Sequence, residues 1–327
     1  MKKFLSLIVV ISLVMSTLGT ITASAIVAPE DAIASFDINQ YTINDLINMN
    51  TEERKVLLDN YIETYNPYGI KDLIEEATFV ESVSDAELQW DSGRNFLGTE
   101  QEIATHQIVT LEAFARFIEN HGFYSDVDGT EILVISLSLA AASGLPDIDD
   151  TDSSTFKGHF YDPDTGKNFV GNTSPTAKSR TGLHYHNAWA TLSQDFFMDV
   201  MSDDFKFVIE EIGRALHYIQ DLCEPHHASN KIALLSNHAE FEAYVERNID
   251  TLIENIPNVS CQYDAYAYTN SAFDLAHFAA TKAKPKYEYI KLGANFYNIG
   301  YSSICEAVYF SEALIYKLIY CSSPYTS

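Results

Sequence analysis

Histidines and carboxylates recur at a fixed spacing in the second half of the chain. His217 and Asp221 are four residues apart in a segment with helical periodicity, so both side chains leave one face of a helix and can bind a single ion. Pro225 ends this predicted helix, and His227 follows it on the turn. These residues predict the first half of a metal centre.

A second unit of the same kind comes shortly afterwards. His238 and Glu242 repeat the four-residue spacing at the start of another predicted helix, where Asn237 and Glu240 predict a capping box. One such pair alone is more often a local ion pair on a helix. Two units this close together favour metal binding, and nitrogen and oxygen ligands without thiolates are typical of zinc, and less of manganese or iron.

These residues resemble the metal-binding core of the bacterial zinc-dependent phospholipase C family. Further upstream, Asp147 follows Pro146, and His159 lies in a Lys-Gly-His-Phe-Tyr-Asp-Pro-Asp segment that resembles the loop in which the family supplies an Asp and then a His. His106 follows Trp90 on a predicted helix, where the family places a His soon after its mature N-terminal Trp. The resemblance is dense from Trp90 to Glu242 and looser in the helical remainder.

The resemblance implies three zinc ions whose ligand sets share one carboxylate. The implied sets are Asp147, His159, His217 and Asp221 for the first ion; His227, His238 and Glu242 for the second; and His106, Asp221 and the α-amino and carbonyl groups of Trp90 for the third. Asp147 is also the implied general base. His226 is expected to lie behind the ligands or in solvent, and four further histidines, which have no place in the family pattern, are expected to be structural: His121, His184, His186 and His277.

The implied activity is hydrolysis of the glycerol-side phosphodiester of phospholipids by a zinc-activated water at a membrane or micelle surface. The products would be diacylglycerol and a phosphorylated headgroup. In the family's choline pocket only Phe156 is retained, because Gly93 and Ile148 stand where the family has an acid and an aromatic residue. We therefore expect no strict choline preference, with ethanolamine, serine or another alcohol as alternatives.

Two other functions fit part of the pattern. One is a related three-zinc single-strand nuclease or nucleotidase; the other is a non-catalytic zinc-binding secreted protein. Acidic residues outnumber basic ones 46 to 20, with a formal net charge of −26, which disfavours binding to a polynucleotide. We expect no nucleic acid partner, and a second zinc with only three protein ligands favours catalysis over a closed structural site.

The periodicity that surrounds these residues is helical throughout. Apolar residues at three- and four-residue spacing predict helices before and after the motif, and residues 131–143 are apolar on all sides, as in the centre of a bundle. The polar stretch 147–180 has no period and predicts a long functional loop. The expected fold is all-α, with one multi-helix catalytic domain of the phospholipase C and single-strand nuclease type.

The N-terminal residues predict export and processing. Residues 1–25 have the basic start, apolar run and small-residue cleavage site of a secretory signal peptide. Residues 26–89 predict a short helical pro-segment, because a ligand made from the amino group of Trp90 requires an activating protease to cut after Gln89. The alternative is a permanent N-terminal domain. The catalytic domain would then be residues 90–327, and the four cysteines of an exported chain allow up to two disulfides.

Overall fold

The computed structural model describes residues 36–71, 105–122, 128–150, 153–194, 202–232, 235–259 and 261–321. Within these ranges the regular structure is helical, and the only β pairing is an isolated bridge between Asp162 and Lys167. The predicted all-α class is confirmed. The α-helices, in chain order, are α1 (Ile43–Asn48), α2 (Thr51–Tyr65), α3 (Thr105–His121), α4 (Gly129–Ser143), α5 (Leu145–Asp149), α6 (Ser153–Phe156), α7 (Ala177–Gln194), α8 (Asp203–Asp221), α9 (His238–Arg247), α10 (Ile249–Glu254), α11 (Asp264–Thr269), α12 (Ala272–Ala283), α13 (Tyr287–Ile290) and α14 (Phe296–Tyr320).

Helix α4 lies at the centre of the fold. The Asp128 side chain accepts a hydrogen bond from Thr130 N and so caps its first turn. Leu133 and Leu137 are fully buried between α3 and α8, as the apolar sequence of this helix predicts. In the described part of the chain, 129–149 is the only stretch that is long and apolar enough to cross a membrane, and 72% of its apolar window is buried inside the fold, as in core helices of soluble proteins.

Helix α8 packs against α4 and α7 and carries part of the predicted metal centre. Ser202 caps its start by accepting a hydrogen bond from Phe205 N. A Cβ atom added to Gly213 would lie 2.4 Å from the Ala142 Cβ and 2.8 Å from the Ala142 carbonyl carbon. Only glycine therefore allows the two helices to approach this closely, and the close approach places the end of α8 beside the end of α4.

Two sequence predictions about local structure are wrong. The stretch 147–180 is not a continuous loop, because α5, α6 and the 3₁₀ turn Lys157–His159 lie within it and α7 already begins at Ala177. Asn237 does not cap α9 with its side chain. Its amide nitrogen donates to the Ile290 carbonyl, and its amide oxygen lies 3.1 Å from His226 Nε2.

The described part of the predicted pro-segment, residues 36–71, packs against the central helices. Leu46, Leu58 and Ile62 are fully buried in the same core as α3 and α4. Arg54 forms a buried ion pair with Glu112 of α3. The bond between residues 89 and 90 lies outside the described residues, so removal of this segment stays a prediction. All four cysteines are free thiols, and no disulfide joins them.

Candidate metal centre

Six elements bring eight of the predicted ligands together. The helices α3, α5, α8 and α9 contribute, and so do the 3₁₀ turns Lys157–His159 and His227–Ser229. Each side chain is 9% exposed or less. The residues are His106, Asp147, His159, His217, Asp221, His227, His238 and Glu242. Trp90, the ninth predicted ligand, lies outside the described residues.

The first predicted set converges around two carboxylates. His217 Nε2 lies 3.3 Å from one oxygen of Asp147 and 3.3 Å from one oxygen of Asp221. His159 Nδ1 lies 2.9 Å from the same Asp221 oxygen and 3.7 Å from Asp147. The donor atoms of four residues therefore point at a common volume, as ligands of one ion would.

His106 lies against this set on the side of α3. Its Nε2 atom is 3.5 Å from the second oxygen of Asp221 and 4.0 Å from Asp147, and its ring centroid is 4.0 Å from that of His217. Asp221 thus presents one oxygen to His106 and the other to His159 and His217. This is the placement that a carboxylate bridging two ions would have.

The second predicted set is compact and adjoins the first. His238 Nε2 and His227 Nε2 lie 2.8 Å and 3.4 Å from the same oxygen of Glu242. The four-residue spacing on α9 brings His238 and Glu242 together, and the turn after α8 supplies His227. Asp221 Oδ1 is 3.6 Å from His227 Nδ1, so the two sets meet at Asp221.

Hydrogen bonds from outside the centre fix how the imidazole rings face. Nδ1 of His217 donates to the Ser143 carbonyl and Nδ1 of His227 donates to the His159 carbonyl, each at 2.9 Å. Nδ1 of His106 is 2.8 Å from the Gln220 amide oxygen. These contacts leave Nε2 of each ring directed at the carboxylates, as the outer contacts of histidine metal ligands do. His159 is reversed, because its Nε2 atom faces Asp150 at 3.4 Å.

Sequence reasoning missed three residues that support the centre. Asp150 accepts from the Tyr218 hydroxyl at 2.6 Å and also pairs with Arg180. Gln220 donates to the hydroxyls of Thr110 and Ser311, which fixes the amide oxygen that His106 contacts. No periodic signal marks these residues, because the structure and not the spacing brings them to the site.

Glu224 is the third missed residue, and it supports the turn after α8. It is fully buried, accepts from His227 N at 2.7 Å, and lies 2.6 Å from His226 Nδ1. The His226 ring stacks on that of His238 at 4.8 Å. His226 is thus buried between Glu224 and His238, and its predicted place outside the ligand sets stays a prediction. A sequence signal did exist, since an acid three residues after Asp221 and just before Pro225 is well placed to cap the turn.

The charge of the centre requires a cation or protons. Burial raises the pKa of Glu242 to about 8, with the neighbouring His227 opposing this rise. Burial lowers the pKa of His217, but the carboxylates of Asp147 and Asp221 outweigh it and raise the pKa to about 10. Both oxygens of Asp147 and one of Glu242 are buried without a hydrogen bond in the described structure. Such carboxylate and imidazole atoms fit a divalent ion of the zinc type.

The predicted headgroup residue lies beside the metal centre, and two of the unassigned histidines lie among other partners. The ring of Phe156 is half-buried and lies 5.9 Å from that of His159, in contact with Phe160 and Phe169. His184 pairs with Glu211 at 3.1 Å, and His277 contacts the Tyr161 hydroxyl at 2.9 Å. Phe156 is therefore beside the centre, whereas His184 and His277 have ordinary structural partners.

Comparisons with known proteins find phospholipases C among similar sequences. No family model matches the chain. A phospholipase C of Paraclostridium bifermentans is 32% identical over 171 residues, which are 51% of this chain and 42% of that protein. A phospholipase C of Bacillus cereus is 33% identical over 142 residues, 42% of this chain and 44% of the relative. The chain thus matches less than half the length of these relatives.

A solved structure shows the same architecture. The alpha toxin of Clostridium absonum superimposes with a TM-score of 0.54 at 20% sequence identity, over 66% of this chain and 62% of the toxin chain. At this identity the likeness shows the fold. The predicted fold type is confirmed, and the predicted ligand sets remain predictions that the geometry supports.

Proposed function

Because the chain belongs to the bacterial phospholipase C family, we propose that it is an exported zinc-dependent phospholipase C that hydrolyses the glycerol-side phosphodiester of phospholipids. One observation carries the proposal: two buried sets of imidazoles and carboxylates meet at Asp221. A phospholipid at a membrane or micelle surface is the substrate, and diacylglycerol and a phosphorylated headgroup are the products.

The proposal assigns the described ligands, together with Trp90, to three zinc ions. His159, His217, Asp147 and Asp221 would hold one zinc, and His227, His238 and Glu242 a second. His106 and Asp221 would hold a third together with Trp90. Bound zinc supplies Lewis-acid activation, because it polarises phosphoryl oxygens and makes water more acidic.

Asp147 is the proposed general base. Its two carboxylate oxygens are free of hydrogen bonds in the described structure, so one could bind the ion while the other accepts the proton of an attacking water. Its side chain is 9% exposed, whereas those of Asp221 and Glu242 are 2% exposed. Among the three carboxylates, Asp147 is therefore the one that a substrate approaching from solvent reaches first.

The remaining side chains orient and shield the reacting groups. The Ser143 and His159 carbonyls hold the imidazoles of His217 and His227 in one tautomer each. The Phe156 ring, beside His159, offers an apolar face to the headgroup. A quaternary ammonium is held by several aromatic faces and a nearby anion, so one phenylalanine favours a broad headgroup range.

We expect the processed protein to release phosphorylated headgroups from phospholipids and to lose this activity on treatment with a zinc chelator. The measurement is a panel of phosphatidylcholine, phosphatidylethanolamine and phosphatidylserine micelles together with single-stranded DNA, each with and without chelator. Adding zinc back should restore turnover, because zinc supplies the activation that no side chain replaces.

Each arm of this panel separates one function from another. Nucleoside release from DNA without any headgroup release would identify the related nuclease activity instead. Folding that persists without turnover of any phosphodiester would identify a non-catalytic zinc protein. A water-soluble chromogenic phosphodiester serves as a control. Its hydrolysis without hydrolysis of any phospholipid would identify a zinc enzyme that does not recognise lipid.

We further propose that the exported chain is a zymogen and that removal of residues 26–89 completes the third ligand set. Only a cut between Gln89 and Trp90 creates the free α-amino group that this set needs. We expect the active secreted protein to begin at Trp90 by N-terminal mass spectrometry, and the uncut protein to be at least about tenfold less active. A fully active protein that begins at residue 26 would contradict the zymogen proposal and leave the lipase proposal intact.

A further inference from the structure

A second group of metal-type side chains lies away from the proposed active centre. His121 is the last residue of α3, Asp264 is the first residue of α11, and Glu312 lies in the middle of α14. One donor atom from each lies within 4.8 Å of the others. His106 and His121 are fifteen residues apart on α3, which is about 22 Å along the helix. The group is therefore separate from the centre described above.

One carboxylate oxygen of each acid in this group lacks a hydrogen-bond partner within the described part of the chain. Asp264 Oδ1 and Glu312 Oε2 are buried without a hydrogen bond, whereas His121 Nε2 lies 3.0 Å from the other Asp264 oxygen. The Glu312 side chain is 0% exposed, and only its other oxygen is used, as acceptor from Asn120 Nδ2 at 2.7 Å. A buried carboxylate oxygen left in this way is unfavourable unless a cation or a proton satisfies it.

The distances fit a tetrahedral ion. His121 Nε2 lies 3.0 Å from Asp264 Oδ2 and 3.8 Å from Glu312 Oε1. Ligand atoms about 2.1 Å from a zinc ion are about 3.4 Å apart in a tetrahedron. The two distances from His121 Nε2 therefore bracket the spacing that ligands of one zinc ion would have.

Apart from His121, which lies 3.0 Å from Asp264 and 3.8 Å from Glu312, no lysine or arginine in the described part of the chain forms an ion pair with the two acids. Arg116 is close enough to lower the pKa of Glu312, but its donors bind Glu112 and the carbonyls of Ile256 and Pro257. Burial still raises the pKa of Glu312 to about 7, and the neighbouring Asp264 adds to the rise. The pocket thus holds two carboxylates opposite a single imidazole.

We propose that His121, Asp264 and Glu312 form a separate binding site for a divalent cation of the zinc class, with a water in the fourth position. The ion ties the end of α3 and the start of α11 to the long helix α14. His106 lies near the other end of α3. The ion therefore stabilises a helix that carries a proposed ligand of the catalytic centre, without contacting the substrate. This inference does not depend on the proposed lipase activity.

The test is the zinc content of the purified full chain, measured by elemental analysis after dialysis against zinc and then against zinc-free buffer. We expect Asp264→Asn and Glu312→Gln to hold one equivalent less than the parent protein and to keep its activity on the same substrate. Glu119→Gln is the matched control, because Glu119 is an exposed acid on the same helix as His121. It should hold the parent amount.

His121→Asn covers the case in which a buried acid variant does not fold, because His121 is partly exposed at the end of α3. It too should lose one equivalent. Crystals of the parent protein should show an anomalous peak at the zinc edge between the three side chains. Equal zinc content in the parent and in all folded variants, or the absence of that peak, would overturn the proposal.

Discussion

Asp221→Asn is expected to abolish most of the activity and to reduce the bound zinc. The Asp221 oxygens lie 2.9 Å from His159, 3.3 Å from His217 and 3.5 Å from His106. Asparagine keeps the shape and removes the charge. Removing one partner of a buried charged group costs about 3–5 kcal/mol, which corresponds to about 10²- to 10⁴-fold in metal affinity.

The charges around Asp221 explain why zinc binding should weaken when this residue is made neutral. Although burial alone would raise the pKa of Asp221, the surrounding histidines, His217 first, hold it well below its usual range. The native site is therefore built around a negative charge at this position. A neutral amide leaves the histidines without their shared counter-charge and leaves bound cations with one anionic ligand fewer.

Zinc content after dialysis and the rate of headgroup release should both fall, while the far-ultraviolet circular dichroism spectrum stays helical. Asp204→Asn is the matched control, because Asp204 is an exposed aspartate at the start of the same helix. It should keep parental zinc and activity. An Asp221→Asn protein with full zinc content and full turnover would show that the two sets do not share this carboxylate.

The sequence predicted the helices and the two His-acid pairs on them because both depend on short spacing. The four-residue interval on α8 and on α9 determines which side chains share a face, and the structure places His217 beside Asp221 and His238 beside Glu242. Helix α4 was predicted to begin at residue 131 and begins at Gly129. The prediction is this close because a run of apolar residues of this length has no competing interpretation.

Long-range contacts could not be predicted in the same way. Asp150 lies in a polar stretch without a period, and only the packing of α7 and α8 brings it to His159. The Asn237 side chain was expected to cap α9, but tertiary contacts with Ile290 and His226 compete for it. His121 was expected to be structural because the family pattern has no place for it, and Asp264 and Glu312 are too far from it along the chain for spacing to associate them.

Gly213→Ala is expected to destabilise the fold, although alanine favours helices over glycine by about 1 kcal/mol. The new Cβ would lie 2.4 Å from the Ala142 Cβ, 2.8 Å from the Ala142 carbonyl carbon and 3.0 Å from Ser143 N. Two of these atoms are backbone, so a rotamer change cannot relieve the contact. Overpacking of this kind costs about 1–3 kcal/mol and here opposes the helix preference.

The same substitution should also weaken the metal centre. His217 lies one turn after Gly213 and donates from Nδ1 to the Ser143 carbonyl, next to the crowded atoms. Separating α8 from α4 therefore moves a proposed ligand and the contact that orients it. We expect a lower midpoint of thermal unfolding together with a reduced zinc content after dialysis.

Gly182→Ala is the matched control for this prediction. Its Cβ would lie 2.3 Å from the Phe273 ring, but that side chain is 37% exposed and can rotate toward solvent. The contact is thus as short as that at Gly213, and the neighbouring group is movable. If Gly182→Ala lowers the unfolding midpoint as much as Gly213→Ala, or if Gly213→Ala raises it, then α4 and α8 do not depend on glycine for their approach.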